Sequence, residues 1–316
     1  MSIKNFIQQT ILPRYDLGEF QSVTILSAGY ANENYKLVTD KGSTLCRVVK
    51  QKTKQQLMQE LQLLNFLKSK DLPTAYPIPQ SNAGYINEDE GRLVVLYDFL
   101  PGTEPKLNEQ TSRSIGDAVG MLNGLYIENV LQRPNEISLD KCDRLISLFT
   151  NANNSLAPIL SYFEEETKQL KEPLATILPK GLVHGDVFTD NTVFCGNELS
   201  GIIDFEEACI DQLLFDVGIT INGFCYPENK LNETLLNTLL KAYHNRRPLE
   251  PVEWELLPWF IRWGAHSQIY WHLYYGLLDH PNKKQMQRVG ELMKRVEWAR
   301  NHMAKLSQII ANTLKL

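Results

Sequence analysis

The residues best suited to chemistry lie in GLVHGDVFTDN, residues 181–191, and GIIDF, residues 201–205. The first string sets His184, Asp186 and Asn191 in an H-x-D-x-x-x-x-N spacing, and the second carries Asp204. Phosphoryl transfer asks little covalent chemistry of a protein. It needs a carboxylate to orient and deprotonate the attacking hydroxyl, and oxygen ligands to hold Mg²⁺ against the phosphates of ATP. Asp186 fits the first task. Asn191 and Asp204 offer hard oxygen donors for the second. They flank TVFC, a Gly196-Asn197 turn signal and ELSGIID, which together read as a hairpin. Any one of the three reads equally well as a turn cap or strand end, and their joint spacing around the hairpin selects the chemistry. His184 reads as a residue that bonds the loop backbone rather than as a proton shuttle. Asp204 is followed by Phe205 and Glu206, so no mobile Asp-Phe-Gly switch is implied.

Nearer the N-terminus, Arg47 lies in LCRVV on the third expected strand, and Glu60 in QELQLL on the helix after it. A strand cation can reach nucleotide phosphates while a helix carboxylate holds it in place. The same two charges can also form an ordinary surface pair. Strand alternation separates Arg47 from its competitor Lys50, which falls on the opposite face at the solvated strand end. SAGYANENY, residues 27–35, stands where a phosphate-covering loop belongs, with Gly29 for close backbone approach and Asn32 or Asn34 to fix the turn or touch a ligand. A plain hairpin turn accounts for it equally.

These residues need a scaffold. β-prone runs at 23–26, 34–39 and 45–50 predict an antiparallel meander, and Leu57, Met58, Leu61, Leu64 and Leu67 predict an amphipathic helix over 55–67 lying across it. RLVVLYDF, residues 92–99, reads as a buried strand ending at Pro101-Gly102. Helical patterns follow from about 108 to 178, interrupted by PNEIS at 134–138, and two long helices over 254–278 and 284–314 close the chain. The expected class is α+β: a protein-kinase-like two-lobed fold with a small antiparallel sheet in the first lobe and a mainly helical second lobe carrying a catalytic hairpin. The expected boundary divides a nucleotide-binding lobe at 1–101 from a catalytic and acceptor-binding lobe at 102–316, with a hinge near 98–102.

Composition narrows the partners. A net charge of −5 argues against nucleic acid, which demands clustered Lys and Arg. The five scattered cysteines show no CxxC spacing and fit a reducing cytoplasm rather than a disulfide or zinc framework. No apolar run reaches the length of a membrane span.

The order of these parts resembles the aminoglycoside-phosphotransferase and choline-kinase superfamily over nearly the whole chain. Within it, GYANENYKL, VVLYDFLPG, RPNEISLDK, GLVHGDVFTDN, DFEEACIDQLLFDVGITINGFCY and LLPWFIRWGAHSQIYWHLYYGLLD look like the homoserine kinases of protein-kinase-like type. The resemblance implies Asp186 as base, Asn191 and Asp204 as metal ligands, Arg47 with Glu60 as phosphate anchor, and Asp216 as support for the catalytic loop. The chain departs at Glu206, where members commonly carry an aromatic residue, and at Asn123, where they commonly carry histidine. Homoserine is a zwitterion with a primary hydroxyl, so its pocket should offer acids and cations. Glu206, Glu207 and Asp211 are candidates for the ammonium, and Arg262 and His266, four apart on one helix, for the carboxylate. The acids can equally form a solvated loop and Arg262 a local pair. The Trp and Tyr residues over 259–275 serve either as core or as rings for a choline-type ammonium. Kinases for another amino alcohol, a sugar or an aminoglycoside remain open. A non-catalytic kinase-shaped protein would have lost one of Asp186, Asn191 and Asp204, and all three are present.

Overall fold

The structure, a computed structural model, describes residues 2–28, 32–89, 91–127, 131–149, 156–277 and 283–314. The chain forms two compact units, one of Met1–Gly102 with Ser200–Ile203 and one of Thr103–Leu199 with Asp204–Leu316.

The first unit is built on strands β1 (Phe20–Ala28), β2 (Asn32–Thr39), β3 (Gly42–Val49), β4 (Asn87–Asp89) and β5 (Arg92–Asp98), all paired antiparallel in the order β1-β2-β3-β5-β4. Alternation puts Tyr35, Leu37, Cys46, Val48, Val94 and Leu96 on one face. They are buried there with Phe6, Ile7, Ile11 and Leu12 of a helical segment over residues 3–14, which begins with α1 (Ile3–Phe6). The sequence patterns did not disclose that segment, nor the three-residue β4. The other face carries Arg47 and Tyr97, with the guanidinium 5.4 Å from the ring centroid. On that side lies α2 (Lys54–Lys68), entered through a reciprocal capping box between Thr53 and Gln56. Leu57, Leu61, Leu64 and Leu67 are buried as expected, whereas Met58 is half exposed. One residue past Leu57 is a 100° turn, which carries Met58 off the apolar stripe, and Leu63 fills the face instead.

The second unit holds α3 (Glu109–Asn123), α4 (Leu139–Leu148), α5 (Ala157–Leu174), α6 (Leu214–Phe224), α7 (Glu233–Arg246), α8 (Pro251–Trp271), α9 (Lys283–Asn301) and α10 (Met303–Leu314). Between the helices the antiparallel pair of β6 (Lys180–Val183) with β9 (Cys209–Gln212) and the hairpin of β7 (Thr192–Cys195) with β8 (Glu198–Ile202) follow, the Ser200–Ile202 end of β8 belonging to the first unit. The fold is α+β, a five-stranded antiparallel sheet followed by a helical region with its hairpin. The helix expected from 254 starts earlier, because Pro251 sits in its first turn and Glu250 and Glu253 form a capping box. It continues as a π-helical turn over His272–Leu277. The single helix expected over 284–314 is two, broken at His302, whose N–H tightens onto Ala299 O and whose ring nitrogen Nδ1 lies 2.8 Å from Trp298 O. No helix among the described residues is long and apolar enough to cross a membrane.

The helix α8 crosses α6 at backbone contact. A Cβ on Gly218 would stand 2.1 Å from Phe260 O, and one on Gly264 would stand 2.7 Å from the Gly218 carbonyl carbon. A methyl group there must push the helices apart, so Gly218→Ala should lower stability by about 1–3 kcal/mol. A urea midpoint unchanged from wild type would contradict this crossing.

Candidate active site

The segment after β6 is held by one buried carboxylate. From α6, Asp216 accepts the backbone N–H of His184 at 2.7 Å and of Gly185 at 2.8 Å, and the Asn123 amide at 3.0 Å. Gly185 stands at φ +82°, a conformation in which a side chain would be strained. Asn123 also donates to Leu182 O and accepts from the Tyr243 hydroxyl, so α3, β6 and α7 meet at this point. Burial pushes the Asp216 carboxyl up to about 6 while its N–H donors pull it down, which leaves it ionised at neutral pH. His184 is fully buried, takes the Asp186 N–H on Nδ1 at 3.2 Å, and meets Phe205 edge-on at 4.6 Å. That placement is the backbone-bonding one expected of it.

Asp186 is half-buried with both carboxylate oxygens engaged. Asn191 Nδ2 donates to Oδ2 at 2.6 Å and to the Asp186 carbonyl at 2.9 Å, and Gln268 Nε2 of α8 donates to Oδ1 at 3.0 Å. Burial pushes its pKa from 3.8 up to about 7, with Asp190, Asp204 and Glu207 adding to the rise. A carboxylate so poised can take a proton near neutrality. Asp204 stands at φ 68°, ψ 62°, the left-handed region that costs a non-glycine residue roughly 1 kcal/mol or more. The turn brings Glu206 and Glu207 into a single 3₁₀ turn whose Glu206 and Ala208 carbonyls both accept from the Arg133 guanidinium.

The donor set fits a divalent ion. Because Asn191 gives its amide hydrogens to Asp186, its carbonyl oxygen is the atom it has left to offer, and Asp204 adds a carboxylate. Among the described residues no three His, Cys, Asp or Glu side chains cluster as a metal centre. An ion here would therefore rest on few protein oxygens, with phosphate and water completing its shell, in the manner of Mg²⁺.

In the first unit, Arg47 Nε donates to Asn34 Oδ1 at 3.1 Å, and its NH1 lies 3.6 Å from Glu60 Oε1. Glu60 is buried and also pairs with Lys52. Lys50, one residue past the end of β3, instead pairs with Glu33 at 2.8 Å on a more exposed site. Gly29 lies outside the described residues.

The acceptor candidates divide. Glu207 is close enough to Asp186 and to Tyr275 to act on both electrostatically. Asp211 on β9 accepts from Asn135 Nδ2 at 2.7 Å and borders a groove with Trp263 and Phe260. Arg262 and His266 correct the sequence expectation. The guanidinium is buried, bound through two bonds of 2.8 Å to Glu166 of α5, and stacked 4.7 Å from the Trp259 ring. His266 is fully buried, stacked on Phe163 at 4.3 Å and bonded to Thr167, and burial then Arg262 push its pKa down to about 3. A neutral histidine and a guanidinium already paired in the core are packing elements, and neither suits the reading of an acceptor carboxylate. An open cleft of about 610 Å³ lies beside the loop that follows Asp186, bordered by Phe188, Thr189, Asp190, Lys284 and Arg288.

The sequence reading missed Gln268, Lys52 and Arg133. Gln268 had a signal, as a polar residue in a largely apolar helix two positions past His266. Lys52 lies eight residues before Glu60 with no helical register to relate them, and Arg133 acts only on carbonyls, which no motif encodes.

The model of the phosphotransferase enzyme family matches residues 22–253. A homoserine kinase of Caulobacter vibrioides is 30% identical over 262 residues, 81% of this chain and 83% of its own length. Amicoumacin kinase hAmiN, solved with AMP-PNP, Ca²⁺ and Ami, superposes with a TM-score of 0.69 at 17% identity, covering 90% of this chain and 94% of that one. A microcompartment-associated aminopropanol kinase superposes with a TM-score of 0.71 at 16% identity, covering 94% and 96%.

The raised pKa of Asp186 has a sign. Between 3.8 and about 7 the folded protein keeps a proton that the unfolded chain has released, so this group's contribution to stability falls as pH rises through that window. In metal-free protein, wild type should lose stability relative to Asp186→Asn between pH 4.5 and about 7.5. A urea-derived difference that is flat with pH, or that runs the other way, would contradict the environment described for Asp186.

Proposed function

The chain belongs to the phosphotransferase enzyme family, and from that premise we propose that it transfers the γ-phosphate of ATP to the side-chain hydroxyl of L-homoserine, giving O-phosphohomoserine. The observation that carries the chemistry is the Asp186 carboxylate, held between Asn191 and Gln268 at a pKa near 7. In this reading Asp186 accepts the proton of the acceptor hydroxyl as its oxygen bonds to phosphorus. The Asn191 and Gln268 amides fix the direction in which the carboxylate faces, and Asp216 keeps the loop that bears it from relaxing. Asn191 and Asp204 would hold Mg²⁺, which when bound offsets the charge of the phosphates. Arg47, kept in place by Asn34 and Glu60, is assigned to phosphate anchoring, with Lys52 as a second cation on the same glutamate. Residues 1–101 are accordingly read as the nucleotide lobe and 102–316 as the catalytic lobe.

The choice of homoserine is supported by the similarity to homoserine kinases over four-fifths of the chain and by acids near the base. Glu207, within electrostatic reach of Asp186, is the side chain placed to meet an acceptor ammonium. One observation favours a simpler amino alcohol. Tyr274 and Tyr275 present partly exposed rings, and Tyr275 feels the charge of Glu207, a combination that also suits an ammonium without a carboxylate.

An acceptor panel of L-homoserine, choline, ethanolamine, 3-aminopropanol and an uncharged sugar, assayed with Mg²⁺-ATP, separates these readings. Homoserine should lead by roughly 30-fold or more in kcat/KM, since an unmatched buried charge costs about 2–5 kcal/mol. Equal or better turnover of choline or the sugar would overturn the acceptor and leave the phosphotransferase reading standing.

A further inference from the structure

With Arg262 committed to Glu166, an acceptor carboxylate needs another cation, and the cleft beside the catalytic loop supplies one. Its volume, about 610 Å³, lies in the range of small-molecule sites. One wall is the loop itself, Phe188, Thr189 and Asp190, starting two residues after the base. The facing wall is the first turns of α9, which contribute Lys284 and Arg288, four residues apart and therefore on one helix face. The Arg288 guanidinium stands 5.7 Å from the Phe188 ring centroid, which fixes it over the loop that carries Asp186. Its single ion pair among the described residues is a 3.3 Å contact from NH1 to Glu291, and its side chain is 37% exposed. Most of the guanidinium's fork thus stays available to an incoming anion. Lys284 is exposed and makes no salt bridge among the described residues. Contrast Arg262, whose Nε and NH2 are both spent on Glu166 in the core.

Building on the acceptor reading above, we propose that Arg288, assisted by Lys284, is the residue pair that binds the acceptor's carboxylate and so separates an amino acid from the corresponding amino alcohol. A planar guanidinium matches a carboxylate through paired N–H bonds, while the lysine adds charge without direction. The acceptor then lies with its carboxylate toward α9 and its ammonium toward the acids on the Glu207 side, and its hydroxyl reaches Asp186. The same loop that carries the base would thereby border the specificity element, through Phe188 under the guanidinium.

The test compares L-homoserine with 3-aminopropanol, which is homoserine without its carboxylate, on wild type, Arg288→Met and Arg288→Lys. The amino alcohol is followed as substrate or, where turnover is too slow, as an inhibitor of homoserine phosphorylation. Arg288→Met should raise KM for homoserine roughly 30-fold or more with a much smaller change in kcat, and should leave 3-aminopropanol within about twofold. Arg288→Lys should fall between, because charge is kept and the fork is lost. Equal losses toward both compounds would make Arg288 a structural residue and overturn the proposal, as would a homoserine KM that does not move. Wild type that phosphorylates 3-aminopropanol but not homoserine would overturn the acceptor reading itself, and this assignment with it.

Discussion

The loop that carries Asp186 depends on one fully buried carboxylate. Asp216 accepts two successive backbone N–H groups, those of His184 and Gly185, and an amide from Asn123, so it fixes the chain direction just before Asp186. A buried anion without such donors would be too costly to keep ionised, and a loop without such an acceptor would leave N–H groups orphaned. Each side therefore requires the other. Asn123 spans Asp216, Leu182 O and Tyr243 at once.

Asp186 is held from the other side by α8, whose own position is over-determined. Along α8, Gly264 lets the backbone touch α6, Arg262 pairs with Glu166 of α5, and His266 packs on Phe163 and Thr167. A buried ion pair of this kind is weak as a source of stability but strict about geometry. Those restraints deliver Gln268 to the Asp186 carboxylate at 3.0 Å. Arg262 and His266, acceptor candidates in the sequence, pack in the core along the helix that carries Gln268.

Much of this was legible in advance, and the limits are physical. The β-prone runs disclosed the sheet, because strand faces follow from parity alone, whereas Lys50, expected on the third strand, lies one residue past it. The spacing of Asp186 and Asn191 was legible because the two bond each other within one turn of loop. Arg262 and His266 were misplaced because helical spacing states which residues share a face but not whether that face meets a pocket or the core. The three-residue β4 and the helical segment over 3–14 were missed since a short strand has no period to detect and a helix packed on a sheet need not repeat regularly. Lys52 and Gln268 reach their partners through tertiary contacts that no local pattern records.

If Asp186 is the base of a phosphotransferase, its loss removes chemistry without removing the nucleotide. The direct measurement pairs calorimetric titration of the Asp186→Asn variant with Mg²⁺-ATP against its steady-state turnover. Nucleotide affinity should stay within about threefold of wild type while kcat falls by roughly 100-fold or more, the size of a lost general base. Turnover above a tenth of wild type with binding intact would contradict it.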